Sequence, residues 1–195
     1  MKRRGNSSLA PATAYDRVAH DFYPTTLRFA RALVEIEAFP DGVWECACGE
    51  GDLSKVLIEY GGVDVVSTDL VDRGFGRGGV DFLKTKTLRR PDIATNPPFQ
   101  AWLEFARHAV ELGARKIALL GRLQLLENFA GRPDFFRRTR GWRVHYVGRS
   151  NMLPRGAADR GGSGVIPTCW FVRDRRRRNV LPEFDWHQPR ERRRP

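Results

Sequence analysis

Four consecutive residues, Asn96, Pro97, Pro98 and Phe99, combine two oxygen acceptors with an aromatic ring. Asn96 carries an amide oxygen, and the carbonyl of Pro97 meets no competing donor because Pro98 lacks a backbone N–H. Together the acceptors can bind both hydrogens of an exocyclic amino group, which favours a pyramidal nitrogen whose lone pair can attack a methyl group. Phe99 offers a face on which a flat ring can stack, worth about 1–3 kcal/mol. The pattern predicts a site for a planar amine, although two prolines also simply end a strand.

A glycine turn lies earlier in the chain, within VWECACGEGDLSKVL at residues 43–57. Gly49 and Gly51 let the backbone turn sharply after a strand and approach a ligand where the next helix offers free N–H groups. Asp69 closes the following predicted strand, where a carboxylate can accept hydrogen bonds from ribose hydroxyls. The third glycine of the dinucleotide fingerprint is missing, so the pattern favours an adenosine-containing ligand with a smaller appendage than a pyrophosphate. An ordinary strand-to-helix turn is the alternative for this segment alone.

Short apolar runs alternate with segments of helical spacing over most of the chain. The runs that predict strands are residues 43–46, 63–68, 92–95 and 116–120. The segments that predict helices are residues 25–39, 52–60 and 99–112. This alternation is typical of a mainly parallel sheet with helices on both faces, so the predicted fold class is α/β.

The C-terminal part departs from this rhythm. Residues 142–147 and 168–172 both resemble strands, and no helical pattern separates them, which predicts an antiparallel pair at the end of the sheet. The glycine-rich segment between them predicts a functional or mobile loop.

Length and composition favour one domain, since 195 residues that are 41% hydrophobic can bury a substantial core. No apolar run approaches the ~20 residues of a membrane span, and the basic start of the chain lacks an apolar signal segment, so we expect a soluble, cytoplasmic protein. The cysteines, Cys46, Cys48 and Cys169, lack the spacing of a disulfide framework or a zinc site. We expect them to be small buried apolar residues and expect no metal.

The net charge of +11 is concentrated at the two ends of the chain. Residues 1–9 carry three basic residues and no acid, and residues 173–195 carry nine arginines against four acids, a net charge of +5. Such arginine runs are too hydrophilic for a core and predict a polyanionic partner, most simply nucleic acid. A solvated tail that only aids solubility is the alternative.

The motifs in this order resemble the class I S-adenosylmethionine-dependent methyltransferases that modify the exocyclic amino group of adenine. FYPTT at residues 22–26, TDLVDRGFGRGGVDFL at 68–83 and TCWFVRD at 168–174 are similar to segments of small phage- and prophage-borne DNA methyltransferases. The resemblance implies a Rossmann-like methyltransferase domain over residues 20–174, with a basic leader at 1–19 and an arginine-rich tail at 175–195. It also implies S-adenosyl-L-methionine as the cofactor.

The same resemblance implies roles for individual residues. The segment before the first helix would hold the methionine end of the cofactor, the glycine turn would surround its methionyl and ribose portions, and the residues after the second strand would bind ribose and adenine. The residues so assigned are Phe22, Tyr23, Pro24, Thr25, Glu45, Cys46, Gly49, Gly51, Asp69, Leu70, Asp81 and Phe82. Asn96, Pro97, Pro98 and Phe99 match the clamp for the target amine; Asn96 stands where many relatives have aspartate and still offers the needed oxygen.

Recognition of the acceptor is expected from loops and tails, because the sequence has no large separate target-recognition region. Contacts of this kind reach mainly phosphates and carry little sequence information. The arginines predicted to contact nucleic acid are Arg73, Arg77, Arg155, Arg160, Arg175, Arg176, Arg177 and Arg178.

Three other functions are compatible with these motifs. An RNA adenine methyltransferase would use the same clamp. A protein-glutamine methyltransferase uses a similar one, usually with tyrosine at the position of Phe99 and with an N-terminal substrate-binding domain, and neither feature is present. A basic nucleic-acid-binding module that keeps the fold without catalysis belongs to a different class.

Overall fold

The fold is taken from a computed structural model, which describes residues 23–127, 132–150, 165–177 and 183–187. Within these ranges seven strands form one sheet. The strands are β1 (Val43–Glu45), β2 (Val65–Ser67), β3 (Asp92–Thr95), β4 (Lys116–Arg122), β5 (Trp142–Ser150), β6 (Ile166–Asp174) and β7 (Glu183–Trp186). The α-helices are α1 (Leu27–Ile36), α2 (Asp52–Gly61), α3 (Trp102–Glu111) and α4 (Arg132–Arg138).

The strand order is β2-β1-β3-β4-β6-β5-β7. The pairs among β1, β2, β3 and β4 are parallel, whereas β6 runs antiparallel to both β4 and β5. This confirms the predicted α/β fold with its mainly parallel sheet and its antiparallel C-terminal pair. Strand β2 lies on one side of β1, and β3, the next strand in the chain, lies on the other side of β1. The carboxyl ends of β1 and β3 therefore flank a switch point, where open α/β sheets bind ligands.

Both faces of the sheet are covered because apolar residues on successive strand positions point to opposite sides. One layer packs α1 and α2 against residues that include Ala94, Ala118, Leu120, Trp170 and Val172. The other layer packs α3 and α4 against residues that include Ile93, Ile117, Leu119, Cys169 and Phe171. The two layers hold the strand ends in register, which positions the residues that follow them.

Buried ion pairs occupy the amino ends of β3 and β4. Asp92, with no exposed surface, receives two hydrogen bonds from Arg115 at 2.9 and 2.6 Å. Lys116 donates to Glu37 and to the carbonyl of Ala38, each at 2.7 Å. A buried charge is tolerated only when it is paired and hydrogen-bonded. This end of the sheet is thus closed by paired charges.

Two elements have no counterpart in the sequence-based predictions. Helix α4 is mostly charged, but its Phe135 and Phe136 are buried against Trp142. Strand β7 lies within the predicted arginine-rich tail and pairs in parallel with β5. Both are too short to show a periodicity in the sequence, and packing against the core accounts for them. Among the helices of the described ranges, none is long and apolar enough to cross a membrane.

His145 of β5 is a buried titratable group beneath β7. It is 7% exposed, and in the described part of the chain neither ring nitrogen has a hydrogen-bond partner. Burial and then the charge of Arg143 lower the pKa of His145, opposed by Glu37 and Asp185, while His187 lowers it further. The neutral ring therefore belongs to the folded state.

This pKa shift predicts a loss of stability in acid. The unfolded chain binds a proton at His145 near pH 6.5, whereas the folded chain binds it only at lower pH, so the free energy of unfolding falls as the pH drops below about 6.5. Urea unfolding at pH 7.5 and pH 5.5 should show a smaller acid-induced loss for His145→Phe than for the wild type. Equal losses in the two proteins would contradict this assignment.

Candidate functional site

A cavity of about 200 Å³ opens at the carboxyl ends of β1, β2 and β3. It collects residues from segments that are far apart in the sequence. The residues predicted from sequence that line it are Tyr23, Pro24, Thr25, Cys46, Asp69, Leu70, Arg73, Asp81, Phe82, Asn96, Pro97, Pro98 and Phe99. The cavity thus joins the predicted cofactor segment to the predicted amine clamp.

The amide of Asn96 is held in one orientation. Its Nδ2 donates to the backbone carbonyl of Tyr23 at 3.0 Å. Its Oδ1 is buried and has no hydrogen-bond partner in the part of the chain that the structure describes. Because a carbonyl can only accept, the contact with Tyr23 assigns the nitrogen and directs the oxygen away from it. A fixed acceptor is therefore left over at the end of β3.

Phe99 forms an aromatic and cationic cluster beside this acceptor. The ring of Tyr23 lies 6.1 Å from the ring of Phe99, centroid to centroid, with an interplanar angle of 34°. The guanidinium carbon of Arg122 lies 4.7 Å from the centroid of Phe99. A cation therefore lies over one face of the ring that is predicted to stack on a base.

Asp69 connects the end of β2 to the glycine turn. Its Oδ2 accepts from the N–H of Gly49 at 2.8 Å, and its Oδ1 accepts from the N–H of Val71 at 2.9 Å. A carboxylate has about four acceptor positions, so each oxygen keeps one for a further donor. The residue can hold the turn and bind a hydroxyl at the same time.

The glycine turn is covered by the loop at residues 72–80. Gly51 has a φ of 83°, and an added Cβ would lie 2.4 Å from the ring of Phe75. The loop is tied back by Arg77, whose N–H donates to Ser67 and whose carbonyl accepts from Asp69, each at 3.0 Å. The loop therefore packs closely on the glycine turn, and Asp52, directly after that turn, lines the cavity.

Phe82 and Asp81 form the cavity wall opposite the glycine turn. Asp81 begins a short 3-10 helix by accepting from the N–H of Leu83 at 3.1 Å, and it pairs with Lys84 at 3.0 Å. Phe82 is buried against Trp44 and Phe105, with centroid distances of 5.3 and 4.9 Å. The wall is thus apolar, with one acid at its edge.

Glu45 lies beneath the cavity and does not line it. It is 1% exposed and hydrogen-bonded to the hydroxyl of Ser54, which is 2.7 Å from the hydroxyl of Ser67. Burial raises the pKa of Glu45 to about 8, despite the opposing hydrogen bond from Ser54. Gly49 and Gly51 also do not line the cavity, although their neighbours Cys48 and Asp52 do. The role implied for Glu45 by resemblance would have to be indirect.

The cysteines are buried and free, which confirms the prediction that they act as small apolar residues. Burial raises the pKa of Cys48 and of Cys169 to about 12, and that of Cys46 well above its usual value. Over the described ranges, no group of three His, Cys, Asp or Glu residues is arranged to hold a metal ion.

The predicted nucleic-acid-binding arginines do not form one group. Arg73 lines the cavity and Arg77 is exposed beside it. Arg175, Arg176 and Arg177 follow β6 at the opposite end of the sheet, where Arg176 pairs with Asp174 at 2.7 Å and Arg177 pairs with Glu183 at 2.9 Å. The predicted residues that lie outside the described ranges are Phe22, Arg155, Arg160 and Arg178.

Several lining residues were not predicted from sequence. They are Ala47, Cys48, Asp52, Val71, Val80, Leu83, Ala101 and Phe105. Most of them directly adjoin a predicted residue, so the cavity lining extends slightly beyond the predicted motifs. Arg122 had a signal of another kind, since it ends the strand after β3, and neighbouring parallel strands bring their carboxyl ends together.

Solved structures of similar fold include three methyltransferases. The methyltransferase subunit of a type I restriction-modification system from Streptococcus thermophilus has a TM-score of 0.62 at 12% identity, over 84% of this chain and 47% of that one. The type I restriction enzyme M protein of EcoKI has a TM-score of 0.54 at 12% identity, over 79% and 44%. The 23S rRNA methyltransferase ErmE has a TM-score of 0.52 at 15% identity, over 82% and 72%.

These similarities establish the fold as the Rossmann-like fold of class I methyltransferases, with its antiparallel C-terminal hairpin. This chain spans less than half the length of the type I subunits that it matches. No protein-family model matches the sequence, and a comparison with curated proteins yields no match.

The close approach of Phe75 to Gly51 predicts that alanine costs more stability at Gly51 than at Gly62. Gly51 and Gly62 cap the two ends of α2 with φ values of 83° and 60°, but an added Cβ at Gly62 would meet nothing within 4 Å. Both substitutions should cost about 1–2 kcal/mol for the left-handed backbone, and Gly51→Ala about 1–3 kcal/mol more for the clash. Urea unfolding measures both, and adding Phe75→Ala should recover part of the excess. Equal costs would mean that the 72–80 loop does not press on the turn.

Proposed function

We propose that the chain is an S-adenosylmethionine-dependent methyltransferase that acts on the exocyclic amino group of adenine in nucleic acid, preferably DNA. The observation that carries the proposal is that Asn96 lines the cavity while its Oδ1 is buried and has no hydrogen-bond partner within the described residues. Leaving such an acceptor unpaired costs about 1–3 kcal/mol. An amino group on a ligand would remove that cost. The similarity of short segments to small phage-borne DNA methyltransferases favours the same substrate.

The cavity residues fit the proposed cofactor. Asp69 keeps acceptor positions for ribose hydroxyls after binding Gly49 and Val71. Leu70 and Phe82 line the cavity beside it and offer apolar contacts to a flat adenine ring. When bound, S-adenosylmethionine would supply an electrophilic methyl group. Tyr23, Pro24 and Thr25 line the same cavity, and Tyr23 contacts Asn96, so these three residues can position the methionine end.

Each clamp residue has a separate task in the proposed reaction. Asn96 accepts one hydrogen of the amine through Oδ1, and the carbonyl of Pro97 accepts the other. Both contacts orient the amine and leave the lone pair of its nitrogen free to react. Phe99 holds the ring of the base by stacking. Because the Asn96 amide is already fixed by Tyr23, little reorganisation is needed when the amine arrives.

Binding of the base alone does not supply enough free energy. Turning an adenine out of its stack costs a few kcal/mol, which is comparable to the return from one aromatic stack. Further contacts to the acceptor strand are therefore required. Phosphate contacts from basic side chains are the natural source, since they need no particular base.

The experiment that tests this function is transfer of a labelled methyl group to matched DNA, RNA and protein acceptors, followed by identification of the modified residue. We expect N6-methyladenine in DNA. Asn96→Ala should lower turnover by about 100-fold or more while leaving the cofactor dissociation constant nearly unchanged, because the lost acceptor acts on the amine. Asn96→Asp keeps an oxygen but loses the donor to Tyr23, so it should retain part of the activity.

Two results would contradict the proposal. An equal loss of cofactor binding and turnover in Asn96→Ala would assign the residue a structural role. Cofactor binding without methyl transfer to any acceptor would instead favour a non-catalytic nucleic-acid-binding module. Modification of RNA adenine or of glutamine would keep the chemistry and change the substrate.

Asp69 should act chiefly on cofactor affinity. Asp69→Ala is expected to raise the cofactor dissociation constant by about tenfold, equivalent to about 1.4 kcal/mol, whereas turnover at saturating cofactor should change less. Calorimetric titration measures the affinity. The matched control is Asp72→Ala, which removes an exposed acid of the neighbouring loop that caps Gly74 and does not line the cavity. The same rise in both variants would indicate a general effect of charge.

A further inference from the structure

The ends of β4, β6 and β5 form a continuous row beside the amine site. Arg122 of β4 lies opposite Thr168 of β6, and Thr168 lies opposite Gly148 of β5. Neighbouring strands are about 4.8 Å apart, so the backbones of Arg122 and Gly148 are roughly 10 Å apart. The row begins at Phe99, which Arg122 covers. It therefore leads directly away from the site of the proposed base.

A second and a third arginine lie at the far end of this row. Gly148 has a φ of 113° and follows a shift in the register between β5 and β6. An added Cβ on Gly148 would lie 2.7 Å from Nη2 of Arg28, so the guanidinium of Arg28 rests against this backbone. Arg149 is the next residue, and both Arg28 and Arg149 are exposed. Arg28 and Arg149 are thus two exposed arginines at the same end of β5.

The chain segments that build this edge carry charge of one sign. They are residues 23–30, 120–126, 146–150 and 165–170, and they contain three arginines and no aspartate or glutamate. Three aspartates, by contrast, line the cavity itself: Asp52, Asp69 and Asp81. The edge that carries the row therefore lacks the acidic residues that line the cavity.

We propose that the row of Arg122, Arg28 and Arg149 binds consecutive phosphates of the acceptor strand where that strand leaves the Asn96 site. The proposal rests on the proposed function, because it takes the target base to lie against Phe99. Guanidinium groups match phosphate geometry, and each phosphate they neutralise releases condensed counterions. Phosphate contacts from the row supply the binding free energy that stacking of one base does not provide. These contacts do not depend on the base sequence.

The arginines after β6 are not part of the proposed phosphate-binding row. Arg175, Arg176 and Arg177 lie at the opposite end of the sheet, which is about 20 Å away along the seven residues of β4. Arg176 and Arg177 already pair with Asp174 and Glu183. The phosphate-binding surface is consequently formed by residues that are scattered in the sequence, and not by the arginine run.

The test compares two charge-matched double variants. Arg28→Gln with Arg149→Gln removes the exposed part of the row, and Arg122 is left intact because it contacts Phe99. Arg107→Gln with Arg138→Gln is the control, since these exposed arginines lie on α3 and α4, away from the row. Fluorescence anisotropy measures the affinity for a labelled single-stranded DNA and for the RNA of the same sequence, over a range of salt concentrations.

We expect the row variant to lower the slope of log affinity against log salt by about 1.4, or 0.7 for each lost phosphate contact. The control should keep the wild-type slope, and cofactor affinity should be unchanged in both. An unchanged slope in the row variant, an equal fall in the control, or no binding of either strand by the wild type would overturn the proposal. Binding of a nucleic-acid strand through the row without methyl transfer would instead refute the proposed function alone. Comparison of the DNA and RNA probes shows which nucleic acid is preferred.

Discussion

The hydrogen bond from Asn96 to the carbonyl of Tyr23 is the contact on which the proposed chemistry depends. It joins the end of β3 to a segment 73 positions earlier in the chain and uses one N–H of the amide nitrogen. The remaining oxygen is thus oriented by the protein before any ligand arrives. A preorganised acceptor of this kind is more effective than one that must first turn, because no reorganisation accompanies the reaction.

The two ends of the sheet have different functions. At the amino ends of β3 and β4, the buried Asp92 pairs with Arg115 and the buried Lys116 pairs with Glu37, and these contacts close the fold. At the carboxyl ends, the described residues leave the buried Oδ1 of Asn96 without a hydrogen-bond partner and Asp69 with spare lone pairs. The division follows from the parallel sheet, since its strands begin at one edge and release their loops at the other.

The distribution of positive charge follows the same division. The net charge of +11 is the basis for expecting a polyanionic partner, but it does not say which arginines would contact one. After β6, Arg176 pairs with Asp174 and Arg177 with Glu183, and hydrogen bonding from Arg176 lowers the pKa of Asp174 to about 2. The segments that meet beside Phe99 contain three arginines and no aspartate or glutamate. The position of an arginine in the fold therefore matters more than the number of arginines in a run.

The sequence by itself determined six of the seven described strands, three of the four described α-helices, the α/β class and the order of the motifs, because these depend on local periodicity and on the missing N–H of proline. The motif residues Tyr23, Asp69 and Asn96 were likewise found from sequence and line one cavity. Only the tertiary structure decided that Glu45 lies beneath that cavity, that Arg122 stacks on Phe99 and that Arg28 rests on Gly148. These contacts depend on which strands are neighbours and how their ends align, and no local pattern encodes the distance between residues that far apart in the chain.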